Sequence, residues 1–216
     1  MTQTVIKLPP PRLSGDISLE ETILRRRSVR GYRAEALALS QLSQVLWSAQ
    51  GPTGGRMFRA APSAGATYPL EIFVFVGKQA VTASEAPMQS GQAPKELQAG
   101  IYHYEADPHS LILHKSGDLR PDLARAALDQ EFIIEAPVDI VICALYHRTS
   151  RRYGRRGDRY VHMEVGHAGE NIHLQAVALG LATVEVGAFH DEEVWKVLGV
   201  EEQIKPLYIM PLGKPL

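Results

Sequence analysis

Two apolar runs constrain the fold more than any other feature: Leu70–Val76 (LEIFVFV) and Val138–Tyr146 (VDIVICALY). Both are rich in β-branched and aromatic residues, which suit a pleated, packed surface. The first predicts a strand buried on at least one side, and the second is the clearest buried strand in the chain. Gly100–Tyr104 and Leu111–His114 flank the stretch Glu105–Ser110 and predict a hairpin. Further strands are expected at Ala182–Val186 and Leu207–Leu212. Helical spacing predicts Ser40–Ala49, with Leu42, Val45 and Leu46 on one face and Gly51 as its stop. Other helices are expected at Arg125–Glu135, at Tyr160–Gly180, and from an Asp191 cap to Leu198. Hairpins and longer connections, without strict alternation of strand and helix, favour α+β over a doubly wound sheet.

With 216 residues the chain fits one domain, read as residues 18–216 behind an extended, proline-rich arm at 1–17. The tract Ala80–Pro94 reads as surface loop. A composition of 45% hydrophobic and 22% charged residues permits a sizeable core. The net charge of −1 provides no global field toward nucleic acid or anionic membrane, so any basic site must be local. One cysteine, Cys143, excludes an internal disulfide framework and a cysteine-rich metal centre, and its apolar surroundings predict a small core residue. No stretch has the length of a signal core or a membrane span, so the expected location is cytoplasmic.

The densest local signal is Leu24-Arg25-Arg26-Arg27-Ser28-Val29-Arg30. Ser18, followed three residues later by Glu21, predicts the capped start of a short helix whose Leu19, Ile23 and Leu24 face a core. The arginines then emerge at its end. Guanidinium groups match phosphate oxygens bidentately, and a hydroxyl among them suits a phosphate ester. The plainer alternative is a solvated basic helix end placed against the negative end of the helix dipole. A second basic stretch, Arg148–Arg159, reads as an arginine-rich loop and holds six arginines in twelve positions beside Tyr153 and Tyr160. The overall charge and the lack of a nucleic-acid fold motif argue against nucleic acid as its partner.

Glu164-x-x-His167 and Glu170-x-x-His173 have a metal-ligand look. They sit six residues apart on one helix, about 240° of rotation, and cannot converge on one ion. Surface ion pairs or partner contacts are expected for them, and no metal. Neither a glycine-rich phosphate loop nor a G-x-S-x-G elbow is present; Gly54-Gly55 and Gly65 read as tight turns.

Four segments together resemble the FMN-dependent nitroreductase superfamily, in its SagB-type dehydrogenase branch. They are Arg26-Arg27-Ser28-Val29-Arg30, Pro62-Ser63-Ala64-Gly65-Ala66-Thr67-Tyr68-Pro69-Leu70-Glu71, Glu164-Val165-Gly166-His167-Ala168-Gly169-Glu170-Asn171, and Gly180–Val184 leading to Gly187-Ala188-Phe189. The resemblance implies a central, mostly antiparallel sheet flanked by helices, and an intertwined homodimer with FMN at its interface. It implies that Arg26 and Arg30 hold the phosphate, Ser28 the ribityl or phosphate oxygens, and Arg27 the pyrimidine edge. Pro62, Ser63, Ala64 and Ala66 of the partner would cover the ring, and the Gly187 and Ala188 N–H groups would approach N5 and O4. The family commonly has an asparagine near Ala66 and another basic phosphate ligand near the C-terminus, for which this chain offers Lys214. A bound flavin carries the hydride chemistry, so the protein itself requires no nucleophile.

The expected activity is NAD(P)H-driven hydride transfer through flavin N5 to an electron-poor acceptor such as a quinone or nitroaromatic. The alternative, also within the branch, is azoline oxidation or other C–N dehydrogenation of a peptide, with oxygen as acceptor. There the corresponding loop resembles Lys-Tyr-Gly-x-Arg-Gly-Tyr-Arg-Tyr, whose Lys-Tyr pair is implicated in deprotonation. This chain reads Arg152-Tyr153-Gly154-Arg155-Arg156-Gly157-Asp158-Arg159-Tyr160. Arginine does not serve as a base, which leaves Tyr153 as the proton-transfer residue or as a packing residue at the mouth of the site.

Overall fold

A computed structural model describes residues 4–54, 58–83 and 96–216. In chain order the elements are β1 (Val5–Lys7), α1 (Leu19–Arg25), β2 (Leu37–Ala38), α2 (Leu39–Gln50), β3 (Leu70–Val76), β4 (Val81–Thr82), β5 (Gly100–Glu105) and β6 (Ser110–Ser116). They continue with α3 (Arg120–Ala126), α4 (Phe132–Glu135), β7 (Val138–Leu145), α5 (Tyr146–Tyr153), α6 (Gly157–Ala178), β8 (Ala182–Thr183), α7 (Asp191–Leu198) and β9 (Ile204–Gly213). The main sheet has seven strands in the order β1-β6-β5-β3-β7-β9-β8, and every pairing in it is antiparallel.

The two apolar runs, β3 and β7, lie side by side near the centre with Val74 opposite Ile140. Their side chains alternate between two cores. Ile72, Val74, Ile140 and Ile142 face the side of α2 and α6, while Phe73, Phe75, Val141 and Cys143 face that of α3, α4 and α7. Burial on both faces is why these strands read as continuous apolar runs instead of alternating ones. This is the expected α+β architecture, and Cys143 is fully buried as expected.

Several expectations need correction. Ser18 does cap α1, its hydroxyl oxygen accepting the Glu21 N–H at 3.1 Å. Yet Leu19, Ile23 and Leu24 are 61%, 55% and 72% exposed, and only Thr22 of this helix is buried. The helix expected at Arg125–Glu135 is two shorter ones, because Leu128 and Asp129 adopt left-handed backbone between α3 and α4. Asp191 begins α7 without capping it; the cap position is His190. The arginine-rich loop is not a loop: Arg148–Arg159 spans α5, a 3-10 turn at Gly154–Arg156, and the start of α6. The extended arm contributes β1 to the sheet edge. Residues 84–94 of the expected surface loop, and Gly55, lie outside the described residues.

Candidate functional site

The helix α6 divides the predicted site residues into two groups. Val161, Val165, Ala168, Ile172 and Ala176 form its apolar stripe. Glu164 and His173 lie beside that stripe and are buried too, which overturns the surface ion pairs, one of the two expectations for them. Nine residues separate them, about 13 Å along the axis and half a turn around it, and each organises a different loop.

The first group gathers around His173. Its Nδ1 lies 2.8 Å from Glu185 Oε1 and its Nε2 lies 3.0 Å from the Arg27 carbonyl oxygen. Both partners are acceptors, so the ring donates to both only when it carries two protons. Burial disfavours that charge, but the Glu185 carboxylate and the Arg27 carbonyl outweigh it and raise the His173 pKa. Burial likewise opposes ionisation of Glu185, and His173 reverses this, holding the Glu185 carboxyl below its usual range. Glu170 also approaches, with one ligand atom of each of the three residues within 4.8 Å of the others. Both His173 nitrogens are committed to protein oxygens, so this triad serves to brace the arginine segment.

That segment is pinned on its other side as well. The Val29 N–H donates to the Thr183 carbonyl at 3.1 Å, the Tyr32 hydroxyl to the Val29 carbonyl at 2.7 Å, and the Arg33 N–H to the Lys214 carbonyl at 3.0 Å. Arg26 is half-buried at the C-cap of α1; Arg27, Ser28 and Arg30 are exposed. The Arg27 guanidinium turns back onto the Leu24 and Arg26 carbonyls at 3.0 and 2.6 Å. Arg30 lies 6.0 Å from the centre of the Phe132 ring. Among the described residues no carboxylate forms an ion pair with Arg26, Arg27 or Arg30, whereas Lys214 is paired with Glu35 at 2.5 Å.

Gly187 and Ala188 follow Glu185 on the same surface, where Val186 exchanges two backbone hydrogen bonds with Ile209 of β9. A Cβ on Gly187 would touch only the Tyr208 ring, at 3.7 Å. Both residues are exposed, and among the described residues neither N–H has an acceptor. Arg26, Arg27, Ser28, Arg30, Gly187 and Ala188 thus share one neighbourhood, with Lys214 anchored beside it.

The second group gathers around Glu164. Pro62, Ser63, Ala64 and Ala66 form a loop in which Gly65, Ala66 and Tyr68 all have positive φ, of 62°, 55° and 44°. Such backbone costs a non-glycine residue roughly 1–2 kcal/mol, and the loop is clamped accordingly. The Ser63 hydroxyl oxygen accepts the Tyr68 N–H at 2.9 Å, and Thr67 and Thr149 hydroxyls meet at 2.8 Å. Arg148 Nη1 donates to the Tyr68 carbonyl at 3.0 Å, and Arg152 Nη1 to the Gly65 carbonyl at 3.1 Å. Arg148 is itself held by Glu71 at 2.5 Å, and Glu71 by His103 at 2.6 Å. Burial alone would raise the Glu71 carboxyl; His103 and Arg148 outweigh burial and lower it.

The i, i+4 pair Arg148 and Arg152 therefore has a structural task. Tyr153 comes with it: its ring meets Tyr160 edge-on at 5.0 Å, and a Cβ on Gly65 would fall 2.5 Å from its hydroxyl. Tyr153 and the Pro62–Ala66 loop are thus brought together, but no hydrogen bond among the described residues joins that loop to the arginine segment. A cavity of about 450 Å³ lies at neither group; Arg12, Thr22, Gln44, Trp47, Asn171 and Gln175 are among the residues around it.

Sequence reasoning missed Glu164, His173 and Glu185. The signal for the first two was their position flanking the apolar stripe of α6 instead of opposite it. Glu185 had none, because its role depends on a histidine twelve residues away.

A seven-stranded antiparallel sheet with helices packed on both faces, α6 the longest of them, is a nitroreductase-type α+β architecture. Residues 23–214 match the model of the Nitroreductase family, and the chain belongs to that family of oxidoreductases. MJ1384, a nitroreductase-family protein of Methanocaldococcus jannaschii, is 44% identical over 201 residues, 93% of each chain. A nitroreductase-family crystal structure from Ralstonia eutropha JMP134 superposes with a TM-score of 0.78 at 26% identity, covering 98% of this chain and 90% of that one. The microcin B17-processing protein McbC of Escherichia coli is 25% identical over 184 residues, 82% of this chain and 62% of McbC. Among the described residues no helix is long and apolar enough to cross a membrane.

Proposed function

We propose that the chain is an FMN-dependent oxidoreductase, acting as a homodimer that reduces an electron-poor small molecule at the expense of NADH or NADPH. The observation that carries this reading is the set of three guanidinium groups without ion-pair partners beside two exposed N–H groups without acceptors, among the described residues. These donors fit a phosphate at one end and a hydrogen-bond-accepting ring edge at the other. A bound flavin would supply the hydride-transfer chemistry between nicotinamide and acceptor.

The chain's own residues bind, orient and shield. Arg26 and Arg30 hold the phosphate, with Ser28 and Lys214 beside them. Arg27 offsets the negative charge that reduction brings to the pyrimidine edge. Gly187 and Ala188 donate to N5 and O4. Pro62, Ser63, Ala64 and Ala66 of the partner chain cover the ring and exclude water. The exposed Leu19, Ile23 and Leu24 of α1 support a two-chain site, since one chain leaves them uncovered.

A second reading is dehydrogenation of a peptide azoline with oxygen as acceptor. It is favoured by the likeness to McbC and by the Tyr153 hydroxyl at Gly65, where it can move a substrate proton. Arg152, fixed on the Gly65 carbonyl, offers no base, so the reductase is preferred.

Purified protein is expected to be yellow and to bleach anaerobically with NADH or NADPH. Arg26→Ala with Arg30→Ala should strip the flavin from a folded protein. Each charge-assisted contact is worth roughly 1.5–3 kcal/mol, so affinity should fall a hundredfold or more. A double variant that keeps stoichiometric FMN would refute the assignment.

A further inference from the structure

Glu164 has no place in the reading above, yet it is the most unusual group near the proposed ring-covering loop. It is 2% exposed, and among the described residues its Oε1 has no hydrogen-bond partner. The Ser63 hydroxyl lies against its carboxyl. That hydroxyl has one hydrogen, and its oxygen already accepts the Tyr68 N–H.

We propose that Glu164 and Ser63 form a two-position proton switch that sets where the Ser63 hydroxyl points and thereby how tightly the loop holds the flavin ring. With Glu164 ionised, the Ser63 O–H donates to the carboxylate and is turned into the protein. With Glu164 neutral, the acid O–H donates to Ser63 Oγ, and the serine hydrogen is released toward an acceptor on the ring. One proton is exchanged with solvent and no bond to carbon changes. Glu164 is a positioning residue here, since it acts only through Ser63. The inference rests on the proposed function insofar as the ring beyond Ser63 is a flavin.

The surroundings make both states accessible. α2 brings no ionisable side chain toward Glu164. Across α5 and β3, Arg148 and Glu71 neutralise each other. Among the described residues Arg59 alone acts on the carboxyl as a charge, from above the Tyr68 ring at 4.8 Å. Burial is the main cause and pushes the Glu164 pKa up to about 7, against the weaker opposing pull of Ser63, Gln50 and Arg59. A carboxyl tuned to that range is what a proton-controlled position near neutrality requires.

Two measurements test it. In the first, infrared spectra of the flavin-free protein are recorded from pH 5.5 to 8.5, and those of Glu164→Gln are subtracted, which removes Asp139, the other buried carboxyl among the described residues. A protonated-acid carbonyl band should disappear near neutrality, shift in frequency in Ser63→Ala, and return to its wild-type position in Ser63→Thr. In the second, FMN affinity is measured by fluorescence quenching over the same range. Relative to Glu164→Gln, whose amide mimics the neutral acid, the wild type should weaken roughly 3–10-fold above neutrality, the worth of one neutral hydrogen bond. The titration of the FMN phosphate is common to both and cancels in the ratio. Ser63→Ala should lie below both at low pH and show no loss of its own. A carboxyl ionised throughout, a band indifferent to Ser63, or a constant affinity ratio would overturn the switch. Failure of every variant to bind FMN would instead refute the proposed function, and the infrared result would still decide the Glu164–Ser63 coupling.

Discussion

His173 and Glu164 show how a buried ionisable side chain can serve a loop instead of a reaction. His173 with Glu185 is fully ionised only between the lowered Glu185 pKa and the raised His173 pKa. The histidine's stabilising share is lost as pH rises through its folded value, and the glutamate's as pH falls through its own. Glu164 behaves oppositely to Glu185. Its carboxyl is raised from 4.5 to about 7, so between those values the folded chain binds more protons than the unfolded one. Stability therefore falls as pH rises through that window and levels off above it, by on the order of 3 kcal/mol. Glu164→Gln should be more stable than wild type by roughly 1–3 kcal/mol at pH 8 and nearly equal to it at pH 5. Urea denaturation at the two pH values checks this. An equal difference at both would show that Glu164 is not held neutral.

The elements were legible where burial is local and obscure where another chain or a distant residue decides. The strands β3 and β7 could be read because both faces are apolar, and α2 because one face is. The arginines of α5 read as loop because charge masks helical spacing; Arg148 and Arg152 are helical neighbours that clamp two carbonyls of a distant loop. The arginine segment was recognised as a cluster, while its brace, His173, required knowing which face of α6 is buried. The helix α1 read as core-facing because its pattern is amphipathic, yet its apolar face is open in the single chain. Ile23→Glu with Leu24→Glu should therefore leave the fold intact and convert the proposed dimer to monomers that lack the proposed flavin, as seen by sedimentation. A double variant that stays dimeric would move the interface elsewhere. Since α5 holds Tyr153 at Gly65, Tyr153→Phe should slow the substrate half-reaction more than flavin reduction by nicotinamide. Stopped-flow measurement of each half-reaction decides, and unchanged rates in both would return Tyr153 to a packing role.

Taken as a whole, the molecule keeps its two proposed halves of one site apart. The arginine segment and the Gly187 turn gather at His173, and the ring-covering loop gathers at Glu164, half a turn and about 13 Å away on the same helix. In the proposed homodimer each chain would lend its loop to the other's arginines. Complementation between two differently damaged chains tests this most directly. One chain carries Arg26→Ala and Arg30→Ala. The other carries Gly65→Val, which forces a β-branched residue into a φ of 62° and against the Tyr153 hydroxyl. The chains are given different tags, co-expressed, and purified through both tags before FMN is counted. With the site built between chains, each homodimer should lack FMN, while the mixed dimer should hold one FMN per two chains, bleached by NADH or NADPH, because one of its sites combines two undamaged halves. A mixed dimer as empty of flavin as its parents would contradict the account.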